Sequence, residues 1–199
     1  MKILAFADTH ESFTSRKKID ALVKTERPDV IVCAGDFTVF EQYLEQMMDW
    51  MQKLPAPVLL IHGNHEEEAV VRKMCAHRSN LTFIHKKPVL IQDTLFIGWG
   101  GGGFDTMDAQ FDHHAKEIAP RIEKATKVVL VTHGPPHGNK LDHLHGGNVG
   151  NRSYSNFLKK NANVVLAISG HLHENFEKED KQHNCRLINP GPNGKVLTI

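Results

Sequence analysis

Five short blocks of metal-binding residue types stand in order along this chain, nearly all where an apolar run ends. They are Asp8-Thr9-His10, Gly35-Asp36, Gly63-Asn64-His65-Glu66, Thr132-His133-Gly134 and Gly170-His171-Leu172-His173. The runs before them, residues 3–7, 30–34, 58–61, 128–131 and 164–168, are apolar enough for strands buried on both faces. In open α/β architectures the carboxyl ends of parallel strands face one crevice, so residues far apart in sequence can meet there. Two Asp, one Asn and four His meeting at such a crevice would form a cage for two divalent metal ions. That cage points to metal-assisted hydrolysis of a phosphoester.

The pattern between the blocks alternates strand with helix. Residues 15–26 carry Ile19, Leu22 and Val23 on one helical face, closed by Pro28. Residues 40–54 place Phe40, Tyr43, Leu44, Met47, Met48, Met51 and Leu54 at three- and four-residue spacing, which predicts an amphipathic helix stopped by Pro55, its stripe facing the core. A third helix is expected over 66–77, with Glu66 as an acid in its first turn, favourable against the helix dipole. This order argues a parallel sheet with helices on its faces. Short strands are expected at 82–85, 88–92 and 94–99, the last two antiparallel across an Asp93-Thr94 turn. A helix over 112–124 precedes the strand at 127–132. The stretch 134–151 holds two prolines and five glycines and is expected to be irregular. A helix at 152–161, a strand at 163–169 and closing antiparallel strands at 175–179, 185–189 and 195–198 complete the chain. No repeat or interdomain linker interrupts it, so residues 1–199 are expected to form one α/β domain, two packed sheets with helices outside.

Composition limits the partners. Lys and Arg number 24 against 23 Asp and Glu, for a net charge of +1. That balance lacks the basic footprint of a protein gripping long nucleic acid, though it leaves room for a nucleotide. No apolar run reaches the roughly 18–20 residues that span a bilayer. The apolar start, residues 3–7, is shorter than the ~7–15 residues of a signal core and ends in Asp8. The three cysteines, Cys33, Cys75 and Cys185, show no CxxC spacing and suit reduced thiols. A cytoplasmic protein without membrane contact is therefore expected, its oligomeric state open.

The ligand types fix the chemistry further. Imidazole with carboxylate suits Mn, Fe, Ni, Co or Zn better than Mg or Ca alone, and manganese is the first expectation. Two divalent ions, less the charges of Asp8, Asp36 and a bridging hydroxide, leave one positive charge to meet a phosphodiester. Asn64 fits, because a neutral amide oxygen binds metal without cancelling that charge. Gly35, Gly63 and Gly170, each before a ligand-type residue, permit the close backbone approach such a cage needs. The glycines of Trp99-Gly100-Gly101-Gly102-Gly103-Phe104 lack the Lys-Ser/Thr of a P-loop and are expected to form a plain mobile loop, possible neighbours of a substrate. His137 is a candidate for the pocket wall, while His113, His114, His143 and His145 are expected on the surface.

Taken together, the DxH, GD, GNHE, THG and GHLH blocks resemble the calcineurin-like metallophosphoesterase superfamily, over residues 8–173. Asn189-Pro190-Gly191 and the stretch from Thr132 to Pro136 with Asn148-Val149-Gly150 are similar to features of its compact single-domain phosphodiesterases. The resemblance implies a four-layer αββα sandwich. It implies one metal held by Asp8, His10, Asp36 and His173, and a second held by Asp36, Asn64, His133 and His171. Asp36 would bridge the two, a metal-bridging hydroxide would be the nucleophile, and His65 would contact the phosphate and assist the leaving group. Asp36, Asn64 and His65 are thus the expected catalytic residues. The expected function is a phosphodiesterase acting on a small, nucleotide-like phosphoester. A phosphomonoesterase, or a non-catalytic metal-binding scaffold of the same fold, stands as the alternative. After Asp36 the chain lacks the acidic and arginine residues that follow in Ser/Thr protein phosphatases, and it carries no capping domain like those of the repair nucleases. Unlike the retromer scaffold subunit, which shares the fold, it keeps every ligand-type residue and His65.

Overall fold

A strand that is covered on both faces needs an apolar side chain at every position, and alternate positions then serve two different interiors. In the computed structural model, which describes residues 1–199, this is how the central strands are used. Along the first strand Leu4 and Phe6 point into one apolar cluster, while Ile3, Ala5 and Ala7 point into another. Along the second, Ile31 and Cys33 divide from Val30, Val32 and Ala34 in the same way.

The elements in chain order are β1 (Lys2–Phe6), α1 (Phe13–Glu26), β2 (Val30–Cys33), α2 (Leu44–Gln52), β3 (Val58–Leu60), α3 (Glu68–Cys75), β4 (Leu81–Phe83), β5 (Val89–Ile91) and β6 (Thr94–Trp99). They continue with α4 (Ala109–Glu117), α5 (Ala119–Lys124), β7 (Lys127–Thr132), β8 (His143–Leu144), β9 (Gly147–Asn148), α6 (Arg152–Lys160), β10 (Val164–Ile168), β11 (Glu179–Gln182), β12 (Cys185–Ile188) and β13 (Lys195–Thr198). One sheet runs β13-β1-β2-β3-β4 and the other β11-β12-β10-β7-β6-β5. The two sheets face each other across the middle cluster, where Ile3, Val32 and Ile61 share an interior with Phe96, Val131 and Ile168. Helices α1 to α3 cover the outside of the first sheet, with Ile19, Met47, Met48, Met51 and Val71 buried there. Helices α4 to α6 cover the second through Phe111, Ile122, Phe157 and Leu158. The result is the expected four-layer αββα sandwich. Each fully buried large side chain contributes roughly 1.5–3 kcal/mol.

β1, β2 and β3 are mutually parallel, as are β6, β7, β10 and β12. Their carboxyl ends are tied together, twice within a sheet and once between the two sheets, through Ala7 and Gly191. Asp8 N donates to Gly35 O, Gly170 N to His133 O, and Ala7 N to Gly191 O. All five motif blocks stand on this edge.

Four segments depart from expectation. The helix expected from residue 40 starts at Leu44, and Phe40 and Tyr43 are exposed rather than core. Long-range bonds hold the preceding backbone: Thr38 N and Val39 N donate to the carboxylates of Glu66 and Glu11, so those residues cannot enter a helix. The helix expected over 112–124 is two helices that meet at Ile118. Pro120 lacks the N–H and its ring would clash with the carbonyl four residues back, so the chain restarts there. The first begins early because the Asp108 side chain caps Phe111 N. In place of a strand at 175–179, a 3-10 turn spans His173–Asn175 and the strand follows at β11. Buried Asn175 is held there by donating to the carbonyls of Leu141 and His143. Finally, the 134–151 stretch includes the β8–β9 hairpin. It is organised around buried Asp142, whose carboxylate accepts from the amides of Gly138, Asn139 and Gly150.

Candidate metal centre

The turns after β1, β2, β3, β7 and β10 carry the site, and the backbone after β1, β2 and β10 is strained. Asp8, His10, Asp36 and His171 all have positive φ, from 41° to 69°. For residues other than glycine this region is disfavoured, and such outliers cluster at functional sites. Gly35 precedes Asp36 at φ 92°, and a Cβ there would lie 2.6 Å from Gly63 N. A Cβ on Gly63 would in turn collide with the Asp36 carboxylate. These two glycines let the ends of β2 and β3 close on each other, as the sequence pattern requires.

All eight expected residues converge. Asp8, His10 and His173 place ligand-type atoms within 4.8 Å of one another, as do Asp36, His133 and His171, and also His10, Asp36 and His65. Asn64 joins through Oδ1, 3.0 Å from His133 Nε2, while Asp36 Oδ2 lies 3.2 Å from that same nitrogen. His10 Nε2 and His173 Nε2 face each other at 3.4 Å.

The outer bonds of the rings decide which nitrogens face inward as lone pairs. His133 Nδ1 lies 2.9 Å from Ala34 O, and His10 Nδ1 2.9 Å from Thr38 O. A carbonyl accepts only, so each Nδ1 carries a proton, and in the neutral ring each Nε2 turns a lone pair into the cluster. A ring nitrogen tied to a carbonyl behind and open in front is the arrangement of a metal-ligating histidine. His171 Nε2 is buried without any hydrogen-bond partner. His65 is the opposite case. Its Nδ1 accepts from Phe40 N at 3.3 Å, so Nε2 carries the proton, pointing toward Asp36 Oδ2 at 3.8 Å. His65 is therefore built to donate.

The electrostatics match a site made for cations. Burial would raise the Asp36 carboxyl, but the His133 hydrogen bond and charge, with the His65 amide, hold it down at about 2. Burial likewise opposes the charge on His133, yet the bond and charge of Asp36, then Asp8 and the Ala34 carbonyl, raise it to about 9. In the chain alone, a second proton, on His133 Nε2, balances Asp36 and occupies the place a metal ion would take. Burial first, then the charge of His133, lowers His171 to about 4, whereas the Asp8 hydrogen bond raises His173.

One residue does far more than its sequence position suggests. Glu66 is not in a helical first turn, since α3 starts at Glu68. It is 5% exposed, and its carboxylate accepts from Asp36 N, Gly63 N, Thr38 N and Thr38 Oγ1 at 2.8–3.1 Å. It thereby locks the ends of β2 and β3 around Asp36. Its four donors belong to Asp36, Thr38 and Gly63, in the turns after β2 and β3, so only its place next to the Asn64-His65 pair could have flagged it. Burial, then the charge of Asp36, raises its carboxyl against these donors.

The Gly100–Gly103 segment is held at its first two residues. Gly100 N donates to His85 Nδ1 at 2.7 Å and Gly101 N to His62 O at 3.0 Å. His85 Nε2 in turn lies 3.0 Å from Glu68 Oε2, off the line of a full hydrogen bond. His62, Glu68 and His85 thus form a further grouping of ligand-type atoms. Because His85 Nδ1 accepts from an amide, its Nε2 holds the proton, which leaves no inward lone pair for a metal. His137 is tied into its loop through its backbone and belongs to none of these groupings. His113, His143 and His145 are exposed, as expected, but His114 is half-buried and stacked on Trp99.

A sequence profile described as calcineurin-like phosphoesterase matches residues 1–175. Among solved structures, the chain is similar to TT1561 of Thermus thermophilus, with 13% identity and a TM-score of 0.78 over 96% of this chain and 88% of that one. It is also similar to a dimetal phosphatase from Danio rerio, with 11% identity and a TM-score of 0.64 over 94% of this chain and 86% of the other. Both are likenesses of fold. No curated protein matches the sequence.

Proposed function

We propose, from the premise that the chain belongs to the calcineurin-like phosphoesterase family, that it is a phosphodiesterase acting on small, nucleotide-like phosphoesters with the help of two divalent metal ions. The observation that carries this reading is the set of inward lone pairs around Asp36. His133 Nε2, Asn64 Oδ1 and Asp36 Oδ2 lie within about a hydrogen bond of one another, and three such acceptors repel unless a positive charge, a proton on His133 Nε2 or a metal ion, stands among them. The donor set therefore fits a metal pair. Asp8, His10, Asp36 and His173 would hold one ion, and Asp36, Asn64, His133 and His171 the other. The mixed nitrogen and oxygen donors favour manganese, with iron, nickel, cobalt or zinc as alternatives. When bound, such a pair supplies Lewis acidity toward the phosphoryl oxygens and an activated water as nucleophile.

The chain's own residues supply the rest. Asp36, held by the Glu66 network, fixes the centre of the site. Asn64 adds an oxygen without adding charge. His65 offers its Nε2–H to the phosphate and to the departing oxygen, a role for which its Phe40 bond selects the tautomer. The likeness to a dimetal phosphatase supports the metal pair, without choosing diester over monoester. Three buried free cysteines support a reducing, cytoplasmic setting, and no helix is long and apolar enough to cross a membrane. The continuous layers support one domain over 1–199.

His65→Ala tests the assignment. It should keep its metals, measured by elemental analysis, and lose about 10²-fold or more of diester turnover. Normal diester hydrolysis by this variant would remove His65 from the mechanism.

A further inference from the structure

The chain of contacts through Asp36 ends in two exposed aromatic rings that no core explains. Phe40 is 72% exposed and Phe104 61% exposed. Phe40 lies over His65, centroids 4.3 Å apart and planes 31° apart, and Phe104 meets His171 edge-on at 4.9 Å. Between them the contacts run from His65 to Asp36, from Asp36 to His133, and from His133 to His171.

Scattered exposed phenylalanines are ordinary, but Phe40 is held where it is. Phe40, Glu41 and Tyr43 have φ of 48°, 62° and 50°, a left-handed run that side chains of this size avoid. Three bonds keep it so. Phe40 N donates to His65 Nδ1, Val39 N to Glu11 Oε1, and Glu41 N to Thr38 Oγ1. The strain thus serves to set a flat apolar ring beside the histidine whose Nε2–H is free. Backbone strain that persists beside a site is typical of ligand clamps.

We infer that Phe40 is a specificity-determining residue that stacks on the leaving group, with Phe104 forming a second aromatic wall beside His171. The favoured substrates are phosphoesters whose departing group presents an aromatic face, aryl or nucleobase-bearing. This rests on the phosphoesterase reading, since His65 marks the leaving-group side only if it donates to the departing oxygen.

The test compares hydrolysis of methyl 4-nitrophenyl phosphate and methyl 2,2,2-trifluoroethyl phosphate by the manganese-loaded protein, with methyl phosphate measured by phosphorus NMR after quenching and removal of the metal by chelator. The aryl-to-alkyl ratio of kcat/KM should fall by roughly tenfold in Phe40→Ala, chiefly through KM, and recover in Phe40→Trp. Equal losses on both esters would mean that Phe40 acts only through the fold, and would overturn the inference. Binding of phenylphosphonate against methylphosphonate, by calorimetry, separates the two readings. A phenyl preference lost in Phe40→Ala supports the subsite even if the protein hydrolyses neither ester, in which case the phosphoesterase reading alone fails. No phenyl preference in the wild type overturns the subsite.

Discussion

Replacing Glu66 by glutamine changes one atom, yet it should cost about 2–3 kcal/mol of stability. Oε1 accepts from Thr38 N and Thr38 Oγ1, and Oε2 accepts from Asp36 N and Gly63 N. All four partners are donors, so the amide nitrogen of glutamine faces donors whichever way it turns. Turned toward Thr38 it does least harm, because the hydroxyl can rotate to accept and only Thr38 N is stranded. One buried unpaired N–H costs roughly 1–3 kcal/mol, and the bonds that remain lose their charge assistance. Glu66→Ala strands all three amides and should cost about 4 kcal/mol, moderated by any water that enters. Urea unfolding of the metal-free protein gives the stabilities, and amide exchange at Thr38, Asp36 and Gly63 locates the loss. A glutamine variant within about 0.5 kcal/mol of wild type, with Thr38 exchange unchanged, would refute the network.

Two further perturbations probe the site and its surroundings. Gly63→Ala drives a Cβ into the Asp36 carboxylate and should abolish tight manganese binding while costing about 1–3 kcal/mol by overpacking, measured by calorimetry and thermal unfolding; unchanged metal affinity would contradict the packing. His85 is lowered to about 3, first by burial and then by His62, with Lys86 acting the same way and Glu68 opposing. The folded state therefore binds fewer protons than the unfolded chain between about 3 and 6.5, so the stability His85 contributes is present above pH 6.5 and lost as pH falls toward 3. His85→Asn keeps an acceptor for Gly100 N and does not titrate. Between pH 6.5 and 5, wild type should lose about 1–2 kcal/mol more than this variant, by urea unfolding, and parallel losses would refute the assignment.

What was legible in the sequence follows a physical divide. β1, β2, β3, β7 and β10 stand out because burial on both faces forces continuous apolar runs, and the ligand blocks stand out because each ends such a run. The resemblance they carry gave the fold and the grouping of eight residues. The place of Phe40 and Tyr43 is not legible, because periodicity registers apolar spacing and not the carboxylates that hold the backbone from 28 residues away. Glu66 is no more legible: an acid just before a helix looks the same whether it faces solvent or four buried donors. The break at Ile118 was legible in Pro120 itself. The turn at Asn175 was not, since its partners lie more than 30 residues back, in a loop without periodicity.

The central claim is tested most directly by hydrolysis of bis-p-nitrophenyl phosphate by chelator-stripped protein, with Mn²⁺ titrated back and Asp36→Asn as the control. The account predicts no turnover when stripped, recovery that saturates near about two ions per chain, and none in the variant at any metal concentration. Turnover that survives chelation, or none with Mn²⁺, Fe²⁺, Ni²⁺, Co²⁺ or Zn²⁺ when two ions are bound, would contradict it.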